Sequence, residues 1–183
     1  MRLVLDEAHY REVVEQGLLS AKTSIWIATA NIKDVHIESP IGTRARARGK
    51  YRSLFEWLEG KADDGLEVRV LHAAAPSRIL AANRAWKSAV RLRRACPRVH
   101  LKMIAVDGHY LYLGSANFTG AGLGAKSDGR RNFEAGIATD DPWMLDELER
   151  AFDDTWSGRR CLGCQLRRQC AVPIDTIDVP KGT

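Results

Sequence analysis

Apolar positions along this chain switch repeatedly between a helical period and a strand-like one, which predicts interleaved helices and strands. Asp6 to Ser20 carries Ala8, Val13, Val14, Leu18 and Leu19 at helical spacing and is expected to be a helix. Ser24 to Ala30 is a compact apolar run of strand length. Residues 33–50, polar and broken by Pro40, Gly42 and Gly49, read as a long basic loop. After Tyr51, the residues Leu54, Phe55 and Leu58 share one helical face, and Gly65 stops that element. Leu66 to His72 reads as a second strand, and Pro76 to Arg94 as a helix closed before Pro97. Val99–Val106 and His109–Phe118 are strand-like runs around Asp107-Gly108, a pair that signals a two-residue hairpin turn. A glycine-rich charged loop (Gly120 to Arg131) leads to a strand at Phe133 to Ala138. Pro142 to Trp156 is a helix with Leu145, Leu148 and Phe152 on one stripe. The expected fold is α/β, a mixed β-sheet flanked by helices on both faces. Residues 1–156 would form that domain, and 157–183 a short basic tail bearing cysteines. No internal repeat or low-complexity tract interrupts the pattern.

Composition narrows the function classes. A chain of 183 residues can bury the core of one domain, and 45% hydrophobic with 28% charged residues is ordinary for a soluble protein. The longest apolar runs fall well short of the roughly 18 residues a membrane span requires. The N-terminus turns acidic at Asp6-Glu7 before a signal-peptide apolar region can develop. A cytoplasmic protein without a membrane element is therefore expected. The net charge is +5, with basic residues gathered in three clusters: Arg44–Arg52, Arg91–Arg98 and Arg159–Arg168. Each cluster alone suits a solvated surface; together they point to a polyanion, because neutralised phosphates release condensed counterions. Arg44, Arg46, Arg48 and Lys50, with Arg130 in the glycine-rich loop, are the candidates for gripping a nucleic-acid backbone.

The hairpin carries the chemistry. A two-residue turn would set Val106 opposite His109, Lys102 opposite Leu113 and His100 opposite Ser115. His100, Lys102, Ser115 and Asn117 would then project from one face, while Leu101 and Met103 point the other way. Singly, a strand histidine is usually a satisfied polar group, and a lysine snorkels to solvent. Together, an imidazole, a cation and two short polar side chains make a phosphate cradle.

His100-x-Lys102-x4-Asp107, then Gly114-Ser115-x-Asn117 and Asn132-x-Glu134, resembles the HKD motif of the phospholipase D superfamily. The helix–strand order before it is similar to the superfamily's small single-motif endonucleases. This resemblance implies a phosphodiesterase, expected to be a nuclease for DNA or RNA. His100 would attack phosphorus and form a phosphohistidine, with Glu134 holding the other ring nitrogen. Lys102, Ser115 and Asn117 would bind the non-bridging oxygens, so that catalysis needs no cofactor. Asp107, in the turn, would support the hairpin. The family chemistry also needs a second histidine as general acid, and no second His-x-Lys occurs in this chain. A C2 homodimer would supply it. Two other readings stand beside this one. A lipid-acting phospholipase or phosphatidyltransferase would call for an apolar rim or interfacial helix. A non-catalytic nucleic-acid-binding or redox-sensing module would have no use for the intact His, Lys, Asn and Glu set.

Cys161-x2-Cys164-x5-Cys170 is the second informative pattern. In a cytoplasmic chain, closely spaced thiols suggest metal binding or redox chemistry, and Cys96 could fill a fourth tetrahedral position. The spacing resembles the iron–sulfur staple of some nucleases of an unrelated fold, whose other motifs this chain lacks. Zinc and a [4Fe–4S] cluster both accept four thiolates; the x5 spacing leans towards iron–sulfur. Trp26, Trp57, Trp86, Trp143 and Trp156 read as core residues and His72 as a strand cap, while His9, His36 and His109 have no evident partner.

Overall fold

The computed structural model describes residues 1–38 and 51–177. Its strands are β1 (Arg2–Leu5), β2 (Ser24–Thr29), β3 (His36–Glu38), β4 (Tyr51–Ser53), β5 (Glu67–His72), β6 (Arg93–Ala95), β7 (Met103–Val106), β8 (Tyr110–Gly114) and β9 (Ala135–Thr139). Its α-helices are α1 (Leu54–Asp63), α2 (Arg78–Ala82), α3 (Arg84–Ser88) and α4 (Pro142–Trp156). Seven strands form one mixed sheet in the order β1-β9-β8-β7-β2-β5-β6, and β3 pairs with β4 in a separate ribbon. Within the sheet β2, β5 and β6 run parallel, and the other pairings are antiparallel.

Strand alternation divides the core in two. Ile25, Ile27, Val70, Ile104 and Tyr112 pack on one face against Phe55 and Leu58 of α1 and Trp86 of α3. Ala28, Leu71, Met103, Ala105 and Leu111 pack on the other against Leu145 and Phe152 of α4. The expected sheet with helices on both faces is what the chain forms. Helix α4 matches its predicted bounds because its signals agree: Asp141 caps the Met144 amide at 2.9 Å, Pro142 opens the first turn and Gly158 follows in the left-handed region (φ 80). Among the described residues no helix is long and apolar enough to cross a membrane.

Three local expectations are corrected. Residues 6–20 are not one helix: β1 precedes a π-helical turn (Tyr10–Glu15) and a 3-10 turn (Leu18–Ser20). Gly17 divides them, where a Cβ would lie 2.6 Å from the Val13 carbonyl oxygen and 2.8 Å from the Tyr110 ring. The helix expected over 76–94 also breaks. Asn83 leaves helical geometry (ψ 135) to cap α3 through the Ala85 amide, and Arg93–Ala95 joins β5 as β6.

The third correction concerns the hairpin. Val106 pairs with Tyr110, Ala105 with Leu111 and Met103 with Leu113, so the loop is Asp107-Gly108-His109 and the register is displaced by one residue. A one-residue slip exchanges the faces of every side chain. The core decides between the two: Ile104 and Tyr112 are buried together on one face, Met103 and Leu111 on the other. Strand β7 therefore starts at Met103, and His100 and Lys102 lie just before it.

These pairings gather one set of chain segments at a single end of the sheet. There β2 and β5 finish, β7 starts, β8 finishes, β9 starts and β1 finishes. That end, at the carboxyl termini of the parallel strands, is where open α/β sheets commonly place ligands. Asp107 lies at the opposite end.

Candidate active site

The segment entering β7 keeps the strand's alternation. Val99 and Leu101 pack with Met103 against the α4-side core, which turns His100 and Lys102 the other way. His100 is exposed and Lys102 half-buried. The Lys102 ammonium donates to the His100 carbonyl at 3.0 Å and lies 3.4 Å from His100 Nδ1, while the Gly114 amide donates to the Lys102 carbonyl at 3.2 Å. A flexible cation is thus held against the imidazole through the backbone on both sides.

Ser115 and Glu134 form a second group. The Ser115 hydroxyl donates to Glu134 Oε2 in a short hydrogen bond and accepts from the Ala135 amide at 3.1 Å. Asn132 Nδ2 donates to Glu134 Oε1 at 3.0 Å. Asp6 clamps the backbone here, its carboxylate accepting from the Glu134 amide at 2.9 Å and its own amide donating to the Glu134 carbonyl at 2.9 Å. Glu134 is only 9% exposed, and each of its carboxylate oxygens accepts one of these hydrogen bonds. Among the described residues no hydrogen bond joins it to His100.

Asn117 sits beside a second cavity. Its Oδ1 accepts from the Asn31 amide at 3.0 Å and lies 3.4 Å from the Thr29 hydroxyl, which itself accepts from the Phe118 amide at 2.9 Å. With Oδ1 engaged, the amide presents its donor side elsewhere. The cavity, of about 470 Å³, is lined by Asn117, Asn132, Lys33, His36, Lys126 and Arg130, a donor-rich basic wall. Arg44, Arg46, Arg48 and Lys50 lie outside the described residues.

The sequence matches the family described as cardiolipin synthase, PLD-like domain, over residues 14–156. The chain belongs to the phospholipase D-like family. Solved structures agree on the fold. Nuc from Salmonella typhimurium, a phospholipase D family member, is 20% identical with a TM-score of 0.52, covering 85% of this chain and 93% of that one. TrmBL2, an archaeal chromatin protein, is 15% identical with a TM-score of 0.54, covering 85% of this chain and 51% of that one. NucT from Helicobacter pylori is 17% identical with a TM-score of 0.48, covering 84% and 92%. Comparison with curated protein sequences finds no significant match.

Within this phospholipase D-like chain, the remaining motif residue stands apart. The Asp107 carboxylate accepts from the amides of Lys22, Thr23 and Ser24 at 2.8 Å each and from the Thr23 hydroxyl at 2.9 Å. Burial opposes its ionisation, but these donors outweigh it and hold the acid below its ordinary pKa. Asp107 fastens β2 to the hairpin at the end of the sheet remote from His100.

Sequence reasoning missed the support under the site. His9 is buried, its Nδ1 2.9 Å from the Asp6 carbonyl and its Nε2 2.9 Å from the Tyr112 hydroxyl, with the rings edge to face. Burial lowers the His9 pKa against the pull of Glu134 and Asp6, and it pushes the Tyr112 phenol up to about 12. Gly136 makes room for the tyrosine, since a Cβ there would lie 2.5 Å from its ring. The pillar draws on three distant segments, so no local pattern announces it.

The cysteines meet the site from the α4 side. Cys96, Cys161, Cys164 and Cys170 are free thiols that line one cavity of about 360 Å³, which His100 also borders. Among the described residues no three His, Cys, Asp or Glu side chains converge closely enough to hold a single ion.

Proposed function

We propose that the protein cleaves nucleic-acid phosphodiesters through a phosphohistidine formed on His100, in an active site shared by two copies of the chain. The observation that carries this reading is the exposed His100 with the Lys102 ammonium 3.4 Å from its ring, at the functional end of a phospholipase D-like sheet. In the first step a His100 nitrogen attacks phosphorus, the P–O bond to the leaving strand breaks, and the partner copy's imidazolium protonates the departing oxygen. In the second step that imidazole takes a proton from water, which attacks phosphorus and breaks the P–N bond. Lys102 and Asn117 bind the non-bridging oxygens as charge builds on them, while the Ser115 hydroxyl stays committed to Glu134. Protein cations perform the neutralisation that a divalent ion performs in many phosphoryl-transfer sites.

The wall beside the site favours nucleic acid over lipid. Lys33, Lys126, Arg130 and two asparagine amides suit a chain of phosphates, whereas a lipid site calls for apolar surface at the mouth. The need for a second copy is supported by exposure. Phe133, adjacent to Glu134, is 97% exposed and is a side chain that such a second copy would cover.

Labelled single- and double-stranded DNA, RNA and phosphatidyl-lipid vesicles, each incubated in EDTA, test the reading. Cleavage of an oligonucleotide should persist in the chelator, and His100→Ala should reduce it to background while binding is retained. Undiminished cleavage by His100→Ala refutes the nucleophile. Vesicle turnover with intact oligonucleotides would move the assignment to lipid.

A further inference from the structure

The four cysteines come from two places distant in sequence, and three features of their surroundings go beyond packing. Cys96 follows β6, its amide donating to the His72 carbonyl at 2.9 Å; the others lie in the tail after α4. Two left-handed glycines turn that tail: Gly158 (φ 80) follows α4, and Gly163 (φ 72) lies within Cys161-Leu162-Gly163-Cys164. Ile174 then anchors the tail in the α4-side core.

The second feature is electrostatic. Arg98, Arg160 and Arg167 border the same cavity, and Arg98 donates to Cys164 Sγ at 3.6 Å. These guanidinium groups place positive charge around the cavity that the four cysteines line, which suits an anionic thiolate-ligated centre.

The third feature is size. A single zinc ion holds each sulfur at about 2.3 Å, so its thiols must converge on one point. Here no three ligating side chains among the described residues do so, and the four cysteines are instead spread along the wall of one cavity of about 360 Å³. A polynuclear cluster, whose sulfurs stand well apart, fits that arrangement better than one ion.

We infer that Cys96, Cys161, Cys164 and Cys170 together hold an iron–sulfur cluster, which ties the C-terminal tail to the segment 96–102 that carries His100. This segment has few fastenings of its own. Between the Cys96 amide and the Lys102 carbonyl, its only backbone hydrogen bond among the described residues is the Val99 amide to the Cys96 carbonyl at 3.0 Å. Cluster ligation at Cys96 anchors it four residues before His100. The cluster's part is positional, and it stands outside the phosphoryl transfer.

The test is made on the full chain, purified without oxygen. Iron, zinc and acid-labile sulfide are measured together with the visible spectrum, for the wild type, His100→Ala, Cys96→Ser and Cys170→Ser. The wild type and His100→Ala are expected to be brown, with about four iron and four sulfide per chain. Both cysteine variants should lose most of that content. Hydrogen exchange of residues 97–102 should accelerate in Cys96→Ser and in wild-type protein stripped of iron, so the stripped protein decides should the variant not fold. Colourless wild-type protein, stoichiometric zinc without sulfide, or a full cluster retained by Cys96→Ser overturns the inference. Because metal content is read without substrate, it can fail while EDTA-resistant nuclease activity stands, and the reverse.

Discussion

At the scale of single residues, the chemistry rests on side chains whose surroundings have been made unequal. His100 is open to solvent beside a cation, whereas His9 is buried and lies between the Asp6 carbonyl and the Tyr112 hydroxyl. Burial lowers the His9 pKa, and it does the same to His72, whose ring lies tilted against Trp86. The unfolded chain therefore binds protons more readily at both positions than the folded one. Their contribution to stability is complete above the unfolded value of about 6.5 and is lost as pH falls through the depressed folded values. Urea denaturation should show stability declining as pH drops from about 7.5 to 5, and His9→Gln should flatten part of that decline. The same substitution should cost about 1–3 kcal/mol at neutral pH by disturbing a buried hydrogen bond. An unchanged pH slope in His9→Gln would show that the ring titrates alike in both states.

At the scale of elements, the hairpin is where sequence and structure part most usefully. Asp107-Gly108 does mark a turn, but the loop takes in His109 as well, because Asp107 adopts φ 54 to collect the amides of residues 22–24. The carboxylate thereby joins the start of β2 to the β7–β8 loop, far from His100. Asp107→Asn keeps a residue that tolerates the left-handed region but loses the charge. It should destabilise the protein by about 1–2 kcal/mol in urea, with the turnover of folded molecules changed less than about twofold. Turnover abolished at unaltered stability would instead give Asp107 a direct part in the reaction.

At the scale of the whole molecule, the proposed chemistry requires a second copy of the site. One chain presents one His-x-Lys, an exposed imidazole and a nearly bare Phe133 at the same end of its sheet. A two-fold assembly through that end would cover the phenylalanine and oppose the two histidines; stable association needs about 800 Å² buried per partner. Sedimentation of the wild type should give a dimer, and Phe133→Asp should shift it to monomer with turnover reduced at least tenfold at low concentration. Full activity in a species that sediments as a monomer would contradict the shared site.

What was legible in the sequence follows from how local each signal is. The helix α4, the strands β2 and β5 and the sheet with two covered faces could be read because apolar period and capping residues lie within one stretch of chain. The family could be read because the spacing of His100, Lys102, Asn117 and Glu134 is a local motif. The hairpin register could not, since turn chemistry allowed two alignments and only the burial of Ile104 with Tyr112 chose one. The partners of Glu134, the pillar of His9 and Tyr112, and the meeting of Cys96 with the tail thiols were equally out of reach. Each joins residues whose proximity is created by sheet order and chain return, and no short-range pattern encodes a contact between segments so far apart.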